Sequence, residues 1–310
     1  MKFDSQIVPH AGWEMFFMRV GFAWLVWMNF PAAVFYTLQP YPNGLAVFMD
    51  LTFLADGHVL GPLRAILLVA LVFYSVNLMV LPSLAYITFL LIAHGSLDNS
   101  QGAINHSFQP LALIALAQFL VVGWLTVRDK LKGRPLPPFI SQKNMRLLIH
   151  AAKVILVSCY VASAVTKLDN TDGQWILRTP NLAALIAGTN AKHSLNEGAK
   201  PDYFSQAAPA FIIEHPTLTR FMGAGALLLE LFAFLALMGR WPAAFLGIAL
   251  IVMHCVISVV MKLYFDLYEH LCLLYLVNIP FLLYFAGMWL WRIGQGLLKK
   301  WEAVRCQAAG

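Results

Sequence analysis

Residues 242–263 read PAAFLGIALIVMHCVISVVMKL, an apolar run whose only ordinarily charged residue stands next to its end. A transmembrane helix needs about 20 predominantly apolar residues, so this run can cross a membrane as one helix. The rest of the chain is similar: 60% of the 310 residues are hydrophobic, 12% are charged and mean hydropathy is +0.70. Because soluble domains are about 25% charged, this composition excludes a soluble enzyme and a nucleic-acid-binding domain despite the net charge of +6.

The hydropathy pattern predicts an all-α integral membrane protein with eight spans in a single transmembrane domain, residues 1–310. The predicted spans are 15–38, 62–79, 81–95, 108–127, 146–166, 219–239, 242–263 and 270–292. Residues 62–95 form either two spans or one helix kinked at Pro82, since a proline is tolerated where neighbouring helices satisfy the freed backbone groups. The first apolar stretch is too long for the core of a signal peptide, and no cleavable signal is expected.

The charges of the loops predict the orientation. The loop 128–146 and the tail 293–310 are rich in lysine and arginine, which favours the cytoplasmic side. The long loop 168–218 carries more acidic than basic residues and is expected to be extracytoplasmic, with short helices near Asn181–Ala187. Both termini are then cytoplasmic, and a bacterial inner membrane is the expected location. The basic loop can also attract anionic lipid.

The cysteines and most histidines give no metal-binding pattern. No CxxC spacing occurs among Cys159, Cys255, Cys272 and Cys306, so a thiol zinc site is not predicted. Asp266 and His270 have the i,i+4 spacing of a metal pair, but exposed residues at a helix end are the commoner explanation.

Four ionisable residues lie in or beside the predicted spans, where such groups are costly and suggest function. Glu230 and His254 lie in the middle of the sixth and seventh spans at similar depth, which predicts either a functional pair or a structural hydrogen bond between helices. His106 begins the fourth span and Lys167 ends the fifth, so both are expected at the outer interface. Lys167 is either a snorkelling side chain or, if shielded from water, a neutral base that a histidine assists.

Three motifs in register resemble the membrane domain of vitamin-K-dependent gamma-carboxylase and the related bacterial horizontally transferred transmembrane (HTTM) proteins. The matching stretches are Asn105-His106-Ser107, the segment Tyr160–Asp169 followed by Trp175, and His254-Cys255 preceded by Glu230. Ser163 replaces a glycine of the family motif, and Trp175 follows Asp169 at a longer spacing. The resemblance covers roughly residues 15–290.

The resemblance implies catalytic roles for Lys167 and His106, with the lysine deprotonating a hydroquinone. It implies supporting residues around a quinone cavity: Asn105, Ser107, Asp169, Trp175, Glu230 and His254. Lys262, eight residues after His254 and roughly on the same helical face, is either a snorkelling side chain or a residue of the same cavity that binds an anion at its mouth. The implied cofactors are a reduced quinone (vitamin K hydroquinone or menaquinol), O2 and, for carboxylation, CO2. Quinol epoxidation is expected more directly than carboxylation, because a large lumenal part of the carboxylase has no counterpart here.

Two other function classes remain open from the sequence. The chain could be a quinone-binding subunit or scaffold that works with a soluble partner or protein substrate on the extracytoplasmic side. It could also be a small transporter, although no internal repeat or paired interrupted helices indicate this. Membrane lipid and quinone are the expected ligands both for the enzyme and for the quinone-binding subunit.

Overall fold

The computed structural model describes residues 10–104, 108–133, 139–198 and 203–308. Within these ranges the chain is helical and has no β-strand. The α-helices are α1 (Gly12–Asn29), α2 (Gly57–Ser75), α3 (Val80–Asn99), α4 (Gln109–Leu131), α5 (Gln142–Asp169), α6 (Trp175–Arg178), α7 (Leu182–Glu197), α8 (Tyr203–Glu214), α9 (Pro216–Leu231), α10 (Arg240–Met261), α11 (Asp266–Leu271) and α12 (Ile279–Ala308).

Five of the described helices are long and apolar enough to cross a membrane: α2, α3, α4, α5 and α10. A sixth span is obtained if α11 and α12, which meet at a bend of 45°, are counted together. Large apolar side chains such as Ile66, Leu68 and Val252 are exposed on their outer faces. An apolar belt of this extent is typical of contact with lipid, and the chain has the character of an all-α, multi-pass membrane protein.

The region 62–95 forms two helices, joined by a tight turn that precedes Pro82. Asn77 and Met79 adopt positive φ angles of 66° and 46° in this turn, a conformation that asparagine tolerates better than most residues. Pro82 lies in the first turn of α3, where a proline removes no helical hydrogen bond. The break is therefore made by the turn and not by the proline.

Three predicted spans differ from the helices observed. The first, 15–38, corresponds to α1, which ends at Asn29 because Phe30 precedes Pro31 and takes an extended conformation, as residues before proline prefer. The sixth, 219–239, contains α9, a helix of 16 residues, without its first three residues, and a 3-10 turn, Ala233–Leu237. The eighth, 270–292, is interrupted at Asn278, between a π-helical turn (Cys272–Val277) and α12. None of the three is among the five long apolar helices.

Helix α5 lies at the centre of the helix group. It packs against α1, α4 and α9, and against the π-helical turn. Its N-cap Ser141 accepts a hydrogen bond from the backbone N–H of Asn144, which satisfies one of the free donors of the first turn. Residues on opposite ends of α5 therefore contact different groups of helices. We call the end near Gln142 the basic end, because it adjoins Arg128, Lys132 and Lys143, and the other end the Lys167 end.

Candidate functional site

The central feature of the Lys167 end is an ion pair between α5 and α9. The ammonium nitrogen of Lys167 lies 2.6 Å and 2.5 Å from the two carboxylate oxygens of Glu230. The Glu230 side chain is only 6% exposed and that of Lys167 is 29% exposed. A buried carboxylate is costly unless a cation pairs with it, so Lys167 is the group that makes Glu230 tolerable in this place.

Trp175 lies beside the same lysine. Its ring centroid is 5.3 Å from the Lys167 ammonium, within the range of a cation–π contact. The chain returns to this place because Asp172 and Gly173 take positive φ angles of 51° and 75°, and because the N–H of Gly173 bonds to the carbonyl of Leu168 at 2.8 Å. The longer spacing between Asp169 and Trp175 thus forms a tight turn that still brings the tryptophan to the lysine.

His254 bonds to Tyr160, and not to Glu230 as its depth had predicted. The Tyr160 hydroxyl and Nε2 of His254 are 2.9 Å apart, and the same hydroxyl lies 3.2 Å from the sulfur of Cys272. The expectation of a Glu230–His254 hydrogen bond is wrong, because Glu230 bonds to Lys167. Between the two residues lies the 3-10 turn Ala233–Leu237, which rises more per residue than an α-helix and rotates differently, so similar depth does not bring the two side chains together.

The environment of His254 is aromatic and leaves one ring nitrogen unused. Phe265 and Tyr268 lie 4.7 Å and 6.0 Å from its ring, centroid to centroid. Its Nδ1 is buried and has no hydrogen-bond partner within the described part of the chain. A buried polar atom without a partner is uncommon, so this nitrogen is available to an oxygen of a bound molecule.

The other predicted site residues have different placements. Asn105, His106 and Ser107 lie outside the described residues, so the predicted role of His106 is untouched by the structure. Asp169 is exposed at the end of α5. Lys262 follows α10 in a left-handed conformation, with φ of 56°.

A metal-binding arrangement is not found in the described ranges. The ring Nδ1 of His270 bonds to the backbone carbonyl of Asp266 and not to its carboxylate. Within these ranges no three histidine, cysteine, aspartate or glutamate side chains come together in a way that could hold a metal ion. The spacing of Asp266 and His270 is thus explained by a local contact at a helix start.

A second buried polar network lies toward the basic end, and the sequence analysis did not identify it. His10 lies 2.9 Å from a carboxylate oxygen of Glu14 through Nδ1 and 3.1 Å from the Lys153 ammonium through Nε2. Glu14 also accepts hydrogen bonds from Arg240 and Asn278, both at 3.1 Å. Lys153 is 4% exposed. Its position inside an otherwise apolar span and the i,i+4 spacing of His10 and Glu14 were signals that could have revealed this network.

Two cavities lie near the ends of the helices. The larger, about 650 Å3, adjoins Lys143 and Asn144 in the first turn of α5, at the opposite end of that helix from Lys167. The smaller, about 170 Å3, is lined by Gly95, Phe108 and Gln109. The larger of these two cavities therefore does not lie at the Lys167 end, where Lys167, Glu230 and His254 are found.

No family model, no curated protein and no solved structure matches this chain. Its function is therefore inferred from the geometry of these side chains and from the sequence motifs.

Proposed function

We propose that the protein is a membrane-embedded enzyme that deprotonates a lipid-soluble hydroquinone at the Lys167 end, as the resemblance to vitamin-K-dependent gamma-carboxylase implies. The observation that supports it is the ion pair of Lys167 with the buried carboxylate of Glu230. In this proposal a reduced quinone and O2 supply the oxidative chemistry, with epoxidation of the quinone and, where a carboxylation follows, addition of CO2 to a substrate.

The paired carboxylate gives Lys167 a route to the neutral form that a base requires. Along the existing 2.6 Å hydrogen bond, the ammonium can pass a proton to Glu230, which leaves a neutral amine and a neutral carboxylic acid. The amine then accepts a proton from the substrate hydroxyl, and the ammonium that results lies beside the anion it has produced.

Other residues of the site support this assignment. The unpartnered Nδ1 of His254 can hydrogen-bond an oxygen of the quinone ring, since one ring nitrogen is already occupied by Tyr160. Trp175 holds the Lys167 ammonium in a cation–π contact beside the ion pair. His106 is proposed to assist the base, as the resemblance implies.

The proposed orientation follows from the charges of the ends. We place the basic end in the cytoplasm and the Lys167 end on the extracytoplasmic side of a bacterial inner membrane, in agreement with the positive-inside rule. The hydroquinone would then reach Lys167 from the outer leaflet, and a protein substrate or soluble partner would approach from outside.

A quinone-binding subunit that needs a partner is the second candidate. The observation that favours it is again the ion pair of Lys167 and Glu230. A carboxylate that is bonded through both oxygens to one ammonium can also serve only to hold two helices together. In that case the site would bind quinone, while catalysis would depend on a separate protein.

The test compares purified wild-type protein with Lys167→Ala and Glu230→Gln. Each is given reduced menaquinone or vitamin K hydroquinone with O2, and quinone epoxide is measured by mass spectrometry. Lys192→Ala is the matched control, because Lys192 is an exposed lysine on α7 and its replacement makes the same change of charge. We expect epoxide from wild type and the control, and a loss of about 100-fold or more for Lys167→Ala, as for removal of a general base.

Two results would redirect the assignment. Absence of epoxide from a folded wild-type protein that retains quinone would favour the partner-dependent subunit. Absence of both epoxide and bound quinone would refute the quinone proposal as a whole.

A further inference from the structure

The cavity of about 650 Å3 at the basic end lies between three parts of the fold. It opens between the turn before α3, the last turns of α4 and the first turn of α5. Met79 and Phe139 form its exposed apolar walls, and Val80, Val122 and Leu125, each at most 5% exposed, lie behind them. The cavity is therefore backed by well-packed side chains of the helix core.

The polarity of the cavity changes along α4. Val122 and Leu125 line its apolar part, Thr126 follows, and Arg128 and Lys132 lie at its outer rim. From Val122 to Lys132 the helix axis rises about 15 Å. Over that distance the lining passes from hydrocarbon to cationic side chains, which matches a ligand with an apolar tail and an anionic head.

The charge at the rim is positive. The cavity is lined by the cations Arg128, Lys132 and Lys143 and by the carboxylate of Asp129. Arg128 donates from Nε and Nη2 to one oxygen of Asp129, at 3.1 Å and 2.9 Å. Among the lining residues that the structure describes, one carboxylate is set against three cations, and the rim is suited to an anion.

The wall formed by the α4–α5 connection is fixed to the rest of the protein. The side-chain amide of Asn77 donates to the carbonyl of Ile140 at 2.9 Å, and its oxygen accepts from the N–H of Ile140 at 3.2 Å. Asn77 is held for this contact in a left-handed conformation with φ of 66°. Ile140 lines the cavity, so these two bonds hold its shape before any ligand arrives.

From these observations we infer that the cavity binds one anionic phospholipid of the leaflet at the basic end. The phosphate contacts Lys132, Lys143 and Arg128, and an acyl chain lies against Met79 and Phe139, which line the cavity and are 53% and 54% exposed. A quinone is a poor occupant because its uncharged ring gains little from three cations. A soluble phosphate compound would leave the apolar wall uncovered. The inference does not depend on the quinol chemistry of the other end.

The experiment uses the full-length protein reconstituted in an equal mixture of phosphatidylglycerol and phosphatidylcholine. After extraction in mild detergent, native mass spectrometry measures how much of each lipid remains bound. We expect wild type to retain phosphatidylglycerol in preference, and Lys132→Gln to reduce this preference about fivefold, the contribution of one cation near an anionic headgroup. Lys130→Gln is the matched control, because Lys130 is exposed on the same helix end and does not line the cavity.

A second pair of variants tests the apolar part. Thr126→Trp places a large ring in the cavity and is expected to displace the lipid. Val127→Trp, at a neighbouring position that is 58% exposed and outside the cavity lining, is expected to leave the lipid bound. Melting curves of all four variants show that each is folded.

Three outcomes would overturn the inference. Equal losses for Lys130→Gln and Lys132→Gln would mean general attraction to the membrane surface rather than a site. Equal retention of both lipids by wild type would mean that the headgroup charge is not recognised. Displacement of the lipid by inorganic phosphate alone would identify a soluble phosphate ligand instead.

Discussion

The ammonium of Lys153 and the imidazole of His10 lie 3.1 Å apart inside the helix group, and the other side of the imidazole contacts Glu14. Glu14 therefore links two cations, Lys153 through the histidine and Arg240 by direct contact. The network joins the start of α1 to α5 and α10, and through Asn278 to the bend before α12.

Removal of the carboxylate should be costlier than removal of the lysine. Glu14→Gln removes the carboxylate that Arg240 contacts directly and Lys153 contacts through His10, and we expect the free energy of unfolding to fall by about 3 kcal/mol or more. Lys153→Met leaves only the neutral His10 and should cost about 1 kcal/mol or less. Denaturant titration in detergent, followed by circular dichroism, measures both, and equal losses would contradict the assigned role of Glu14.

Acid should weaken the same contact. Burial lowers the pKa of His10 from its usual value of 6.5, so the unfolded chain takes up the proton at a higher pH than the folded protein does. The contribution of His10 to stability is therefore complete above about pH 6.5 and is lost as the pH falls toward its folded pKa. Melting temperatures of wild type and His10→Gln across this range should converge on acidification. Parallel curves would show that His10 does not titrate in this way.

Gly247 is a position where even a small added side chain should lower the stability of the protein. A Cβ atom there would lie 2.8 Å from Cβ of Leu276 and 3.2 Å from the backbone nitrogen of Val277, so α10 and the π-helical turn would have to separate. Gly247→Ala should destabilise the protein by about 1–3 kcal/mol. Gly123→Ala, in α4 with open space around the new atom, should be neutral or stabilising by up to about 1 kcal/mol. The test is the melting temperature, and a similar decrease for both variants would count against close packing at Gly247.

The orientation of the helices can be tested with introduced cysteines. Lys132→Cys at the basic end and Asp172→Cys beyond the Lys167 end are both exposed, and a maleimide that does not cross membranes should label Asp172→Cys in intact cells. Lys132→Cys should react only after the membrane is opened. The reverse pattern would invert the proposed topology and place the Lys167 site in the cytoplasm.

The regular apolar spans were predictable because length and hydropathy alone determine them. Helices α4, α5 and α10 extend only a few residues beyond or short of the predicted limits. The end of α1 was missed because the apolar residues after Pro31 suggested that the span continued, whereas the backbone before a proline turns away from the helix.

The site was predictable in part. The sequence indicated Lys167, Glu230 and His254 as unusual, but depth alone paired Glu230 with the wrong residue. Helix rotation decides the partner, and it depends on the 3-10 turn after α9, which hydropathy does not reveal. Lys153 stands out in the sequence as a lysine inside an apolar span, but its partner His10 comes from the segment before α1, and no local motif connects the two positions.

Helix α5 contains 28 residues and neither glycine nor proline. It is about 42 Å long and has none of the usual causes of a kink. Lys143, Lys153 and Lys167 therefore lie on one continuous helix. Lys143 is at the proposed lipid cavity, Lys153 is in the buried network and Lys167 is in the ion pair with Glu230. A shift of α5 along its axis would therefore move all three positions together.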